Sequence, residues 1–172
     1  MSLEAMGGEV AALVAALAPE RDWDVRVAAL ERCLGVVGRY AHAPRELATG
    51  LRPLRDALET QLVDRRSAVV RAACALVTRM AEVLGREMDA LSEFFVPILF
   101  KITPITVQVM AESSDACLHS LFHHIHNPRL LAKVAESASK DRAAKVRASC
   151  HEYVRRILVE WGEGAVEQRG GS

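Results

Sequence analysis

The chain has 172 residues, enough for one domain with a continuous core, and its 22 Lys and Arg are balanced by 22 Asp and Glu. That balance removes the global basic excess expected of a protein that grips nucleic acid or an anionic membrane. Hydrophobic residues make up 51% and aromatic residues only 5%, so the core must come from Ala, Val and Leu, which suits closely packed helices.

In chain order, residues 1–7 read as a start outside the domain and residues 8–17 as the first helix. The apolar run 11–18 is preceded by Glu4 and Glu9, not by the basic residues of a targeting segment. It is also too short to cross a bilayer, so a soluble intracellular protein is expected. A turn over 19–24 leads to a helix over 25–39, with Asp22 or Asp24 as its N-cap. The second pair spans 44–62 and 68–84 around a turn at 64–67. Pro53 marks a kink or the true first turn of its first helix, and Gly85 closes the second as a C-cap residue. The third pair spans 88–102 and 107–125, and Asn127-Pro128 stops it, because a residue before proline is pushed out of the α region. The fourth spans 129–139 and 144–161, and residues 162–172 read as a disordered polar tail.

Val25-Arg26, Val70-Arg71 and Val146-Arg147, each followed by small residues, recur with a degenerate Val109-Met110 between the last two. The interval of about 40 residues is that of HEAT and armadillo helix pairs. The fold class is therefore all-α, an α-solenoid of about four HEAT repeats over 8–39, 44–85, 88–126 and 128–161. Counted from the recurring Val, Cys33, Cys74, Cys117 and Cys150 fall at offsets 8, 4, 8 and 4. These offsets share one helical stripe, so the cysteines read as buried structural thiols.

His119 and His123 stand at i and i+4, a spacing that can hold zinc. No Glu follows the first His, and Cys117 falls on another face, so neither a metal nor a cofactor is assigned. His124 and His126 are expected to serve backbone groups at the turn before Pro128. The chain has no glycine-rich phosphate loop, no Gly-x-Ser-x-Gly elbow and no strand pattern to carry one, so an enzyme is not expected.

In a stack of helix pairs, every turn inside a pair emerges on the same edge. Those turns hold Arg21, Asp22, Trp23 and Asp24; Asp64, Arg65 and Arg66; residues 103–108; and Lys140, Asp141, Arg142 and Lys145. Trp23, set between two aspartates, is either an exposed anchor or a lid folded onto the first pair. The spacing leaves both open.

Asp22-Trp23-Asp24-Val25-Arg26-Val27-Ala28-Ala29-Leu30 resembles the opening of a TOG domain of the CLASP type, a family close to the ciliary TOG-array proteins. Arg66-Ser67-Ala68-Val69-Val70-Arg71-Ala72-Ala73-Cys74, Pro97-Ile98-Leu99-Phe100, Val109-Met110-Ala111 and His124-Ile125-His126-Asn127-Pro128-Arg129-Leu130 follow in that family's order. The resemblance runs from Asp22 to Trp161. It implies a HEAT-repeat paddle that binds αβ-tubulin or microtubules through this row of turns and regulates microtubule dynamics. Its place would be the cytoplasm and cytoskeleton, with cilium and kinetochore both open.

The resemblance further implies Trp23 as the apolar anchor on β-tubulin and Arg65, Arg66 and Ser67 as the second contact. Gln108 stands in the third turn where relatives often carry Lys, and Arg142 and Lys145 fall at basic positions of the fourth. Against an acidic partner such residues set orientation and association rate more than affinity. A TOG domain has six repeats where four are read here. The flank of the last pair is therefore expected to be covered by further sequence, by a second copy in self-association, or by a partner. The alternative is a HEAT-repeat interaction scaffold that has lost tubulin binding. Neither nucleic acid nor membrane is expected as a partner.

Overall fold

A computed structural model of the chain describes residues 3–169, with side chains described from Glu4 to Gly162. Among the described residues there are nine α-helices and no strand: α1 (Leu3–Ala16), α2 (Trp23–Arg39), α3 (Pro44–Leu51), α4 (Leu54–Leu62), α5 (Ser67–Leu84), α6 (Asp89–Ile102), α7 (Gln108–His124), α8 (Pro128–Lys140) and α9 (Ala144–Arg169). A single 3-10 turn, Gly85–Met88, joins α5 to α6. No described helix is long and apolar enough to cross a membrane.

The helices form two layers. α1, α3 with α4, α6 and α8 make one, and α2, α5, α7 and α9 make the other. Each first helix packs on the second helix of its pair, and α2, α5, α7 and α9 follow one another side by side. The contact between α7 and α9 is the sparsest of that second layer. The all-α solenoid of four helix pairs is therefore the architecture.

Both ends differ from the expectation. α1 begins at Leu3, and Met6 is fully buried against α3, its Cε lying where a Cβ on Gly50 would be. Gly50 thus lets α1 sit close to α3; residues 1 and 2 lie outside the described residues. At the other end α9 continues as helix past Gly162 to Arg169, into the stretch read as a tail. Residues 170–172 lie outside the described residues.

Pro53 produces the kink. It stands between α3 and α4 and breaks the amide ladder, as a residue without an N–H must. Leu47, Leu51, Leu54, Leu58 and Leu62 nevertheless stay buried, so a single leucine stripe runs through the bend. Gly85 caps α5 at φ +50°, where a residue with a Cβ is strained. Asn127 does more than stop α7. Its Oδ1 accepts from the Arg129 amide at 3.0 Å, capping α8 in front of Pro128, while its Nδ2 donates to Glu93 Oε1 at 2.9 Å on α6. A cap of this kind contributes about 1 kcal/mol.

The second helices share a buried stripe, and its register corrects the Val-Arg reading. Arg26, Leu30, Cys33 and Val37 in α2 correspond to Val70, Cys74, Val77 and Ala81 in α5. They correspond in turn to Met110, Ser114, Cys117 and Leu121 in α7, and to Val146, Cys150, Tyr153 and Ile157 in α9. All are buried at helical spacings of four, three and four. Val25 and Val109 are exposed, so in the first and third repeats the residue after the Val takes its place. All four thiols lie in this stripe and are buried as expected. Burial pushes Cys33 up to about 12 and Cys150 up to about 11, and a hydrogen bond with Cys117, together with burial, raises Cys74.

Candidate functional site

The four turns inside the pairs span residues 17–22, 63–66, 103–107 and 141–143, and each delivers the chain to the N-terminus of a second helix. In the shared register Trp23, Ser67, Val107 and Ala143 occupy one equivalent position, three residues before the first buried residue of the stripe. The stacking of α2, α5, α7 and α9 therefore sets these four residues in a row. Trp23 is 46% exposed, with about half of its surface left in water at the start of α2. Asp22 occupies the N-cap position of α2 without a side-chain cap bond, and Asp24 Oδ1 accepts from the Val25 amide at 2.8 Å.

The first two turns are joined by a buried polar network. Arg26 is only 3% exposed. Its Nη1 donates to Gln61 Oε1 at 2.7 Å and to Asp64 Oδ2 at 2.9 Å, and its Nε donates to the Arg21 carbonyl at 3.2 Å. Gln61 Nε2 in turn donates to the Leu17 carbonyl at 2.8 Å and to the Ala57 carbonyl at 3.1 Å. Burial raises the pKa of the Asp64 carboxyl, but the Arg66 amide and the Arg26 guanidinium outweigh it and hold the group below its ordinary value.

Asp64 also shapes its own turn. Its Oδ1 accepts from the Arg66 amide at 2.8 Å, an Asx turn that leaves Arg65 and Arg66 exposed, with Arg66 only loosely paired to Asp64 at 3.7 Å. The fourth turn repeats the device: Asp141 Oδ1 accepts from the Ala143 amide at 2.8 Å and presents Arg142 to solvent. Arg147 Nη1 closes that turn onto α9 by donating to the carbonyls of Asp141, at 2.7 Å, and Arg142, at 3.2 Å. Lys145 is exposed one turn further on.

The third turn is different in kind. Thr103 and Ser114 both donate to the Leu99 carbonyl, at 3.1 and 2.8 Å, which fixes the root of the turn. Above it Ile105, Val107 and Val109 are exposed. Gln108 is exposed beside them, its Nε2 donating to Glu112 Oε1 at 2.7 Å. Val63, 61% exposed next to Asp64, adds to the same edge, as does Val25.

Sequence reasoning singled out the charges and the Trp but not this apolar row. The available signal was β-branched residues placed in turns, where polar ones are the rule. The edge as it stands offers an aromatic, one exposed Arg pair, an exposed Arg and Lys in the fourth turn, and a run of apolar side chains. Such an edge is chemically suited to a large surface that is partly acidic and partly apolar.

The histidines lie elsewhere, between α7 and α9. His123 pairs with Glu160, and His119 Nε2 lies 3.3 Å from Asp115 Oδ2 and also meets Arg156. His126 Nε2 meets the His123 carbonyl at 3.0 Å, the backbone role expected of it, and its ring stacks on Trp161 at 5.3 Å. Burial and neighbouring His123 lower the His124 pKa. Among the described residues no His, Cys, Asp or Glu cluster suits a metal ion. Tyr153 Oη donates to Asp115 Oδ1 at 2.6 Å, and Trp161 Nε1 donates to the Phe122 carbonyl at 2.9 Å, so polar clamps join α9 to α7 beside the buried contact of the Tyr153 and Phe122 rings. An open groove of about 600 Å³ remains between them, lined in part by Phe122, Arg155 and Val159.

Comparison with known proteins gives a consistent picture. The family model described as CLASP N terminal matches residues 6–172. A CLIP-associated protein of Arabidopsis thaliana is 39% identical over 157 residues, covering 91% of this chain and 11% of its own length. CLIP-associating protein 1-B of Xenopus laevis is 29% identical over 149 residues, 87% of this chain and 10% of its own length. The chain thus spans about a tenth of the length of these curated relatives.

Proposed function

The chain belongs to the CLASP N-terminal family, and from that premise we propose that it is a tubulin-binding module. It engages αβ-tubulin or the microtubule through the row of turns, and so takes part in regulating microtubule dynamics on the cytoskeleton. Trp23 is the anchor. Arg65, Arg66 and Ser67 form the second contact, Gln108 with Ile105 and Val107 the third, and Arg142 and Lys145 the fourth.

The observation that carries this reading is the half-exposed Trp23 on an edge whose other turns expose the cations Arg65, Arg66 and Arg142 and the β-branched Ile105 and Val107. A large aromatic left in water on a helix N-terminus costs apolar hydration that a partner surface recovers. The Arg residues beside it supply electrostatic steering toward an acidic partner.

Size-exclusion chromatography with soluble tubulin and pelleting with taxol-stabilised microtubules test it, comparing wild type with Trp23→Glu and with Arg65→Ala/Arg66→Ala. The wild type is expected to shift tubulin and to pellet, and both variants to lose ground. Equal behaviour of all three overturns the assignment. The exposed Leu158 and Val159 on α9 support a second reading, a scaffold that docks another protein along its last helix. Under that reading no form shifts tubulin, and Leu158→Asp abolishes whatever complex the wild type makes.

A further inference from the structure

Arg26 occupies a level of the stack that the other three repeats fill with apolar side chains. Its equivalents are Val70, Met110 and Val146, all buried. An apolar residue therefore satisfies the packing there, and a guanidinium withdrawn from water recovers its lost hydration only in part from an ion pair.

What arginine adds is reach. One side chain joins the Arg21 carbonyl in the first turn to Asp64 in the second, and its partner Gln61 extends the link to the Leu17 carbonyl. The end of α1, the start of α2, the end of α4 and the turn into α5 thus converge on it. Trp23 stands one helical turn before Arg26, and Arg65 directly follows Asp64. Both contact residues inherit their position from this network.

We propose that Arg26 is a positioning residue of the binding edge, which fixes Trp23 relative to Arg65 and Arg66 and is kept for recognition rather than for folding. The inference rests on the tubulin-binding reading above and adds to it a device that pre-orders two contacts before the partner arrives. Ordering loose turns at the moment of binding costs affinity, and a prefixed pair avoids that cost.

The test replaces both buried polar groups with apolar ones, Arg26→Met/Gln61→Met. Circular dichroism is expected to keep its helical signal, with an unfolding midpoint lowered by about 5 °C or less, because the two most buried polar groups leave together and Asp64, which loses its ion-pair partner, is partly exposed and keeps the Arg66 amide. Tubulin affinity is expected to fall about tenfold, the cost of ordering two to three side chains. Amide exchange should rise over residues 18–22 and 63–66 and stay unchanged in α7. Asp64→Asn gives an independent arm. It keeps the turn to Arg66 but sets an amide Nδ2 against Arg26 and leaves the buried guanidinium without its counter-charge, so it should lose binding and lower the midpoint more than the double variant does.

A positioning role also predicts coupling. In a Trp23→Ala background the double substitution should cost much less affinity than in wild type. Wild-type affinity of the double variant, or a fall in its midpoint as steep as that of Asp64→Asn, overturns the inference. If wild type itself does not bind tubulin, the functional reading fails on its own, while unchanged amide exchange in the two turns still overturns the role given to Arg26.

Discussion

Residues 17–22 and 63–66 are locked to each other by a buried guanidinium and stand beside the exposed Trp23, Arg65 and Arg66, whereas residues 103–107 are rooted on their own helix pair and expose Ile105 and Val107. The two regions lie on one edge and share one helical register. On the proposed function they differ in what they ask of a partner. The first asks for an apolar pocket beside acidic groups in a fixed arrangement, and the third asks only for apolar area. A single edge can therefore divide its work, with direction and rate coming from one end and charge-independent burial from the other.

Substitutions along the edge can break or sharpen that division. Trp23→Glu is expected to have the largest effect, weakening tubulin binding about 30-fold, since a central aromatic anchor is worth ~2 kcal/mol. Titration of labelled tubulin measures it, and an effect below threefold would remove Trp23 from the site. Next comes Arg65→Ala/Arg66→Ala, with a loss of about fivefold at low salt that shrinks as salt is raised. Ile105→Ser/Val107→Ser should cost about threefold, from lost apolar burial, at low and high salt alike. A salt-dependent loss for the Ile105 and Val107 pair, or a salt-independent one for the Arg pair, would erase the contrast between the two regions. Gln108→Lys is the gentlest probe. It adds a cation to the third turn, but Glu112 waits beside it, so a gain of about twofold or less is expected, measured as association rate.

The sequence carried the helix pairs plainly because their signals are local: the period of the buried stripe, the Pro and Gly at the breaks, the small residues at helix contacts. It carried the exposed cations as well, since Asp64-Arg65-Arg66 and Asp141-Arg142 hold a turn-former beside its charge. The register of the first and third repeats was not legible. Arg26 looks like a solvent-facing residue in any hydropathy count, and only the arrival of Gln61 and Asp64 from another repeat makes its burial tolerable. The inward place of Met6 was hidden for a similar reason, because it depends on the space that Gly50 leaves on α3. The apolar third turn is spelled out in full, but that Ile105, Val107 and Val109 face solvent together depends on how α6 and α7 pack beneath them.

Each helix pair contains one cysteine, in α2, α5, α7 and α9, and every one of them is shielded from solvent. A thiol must ionise and meet its reagent to be alkylated. Alkylation of the native chain therefore waits for local opening, and stacked repeats open in units. Mass spectrometry of a timed alkylation would then record Cys33, Cys74, Cys117 and Cys150 as four separate clocks. With the sparsest contact of its layer behind it, α9 should set Cys150 running first.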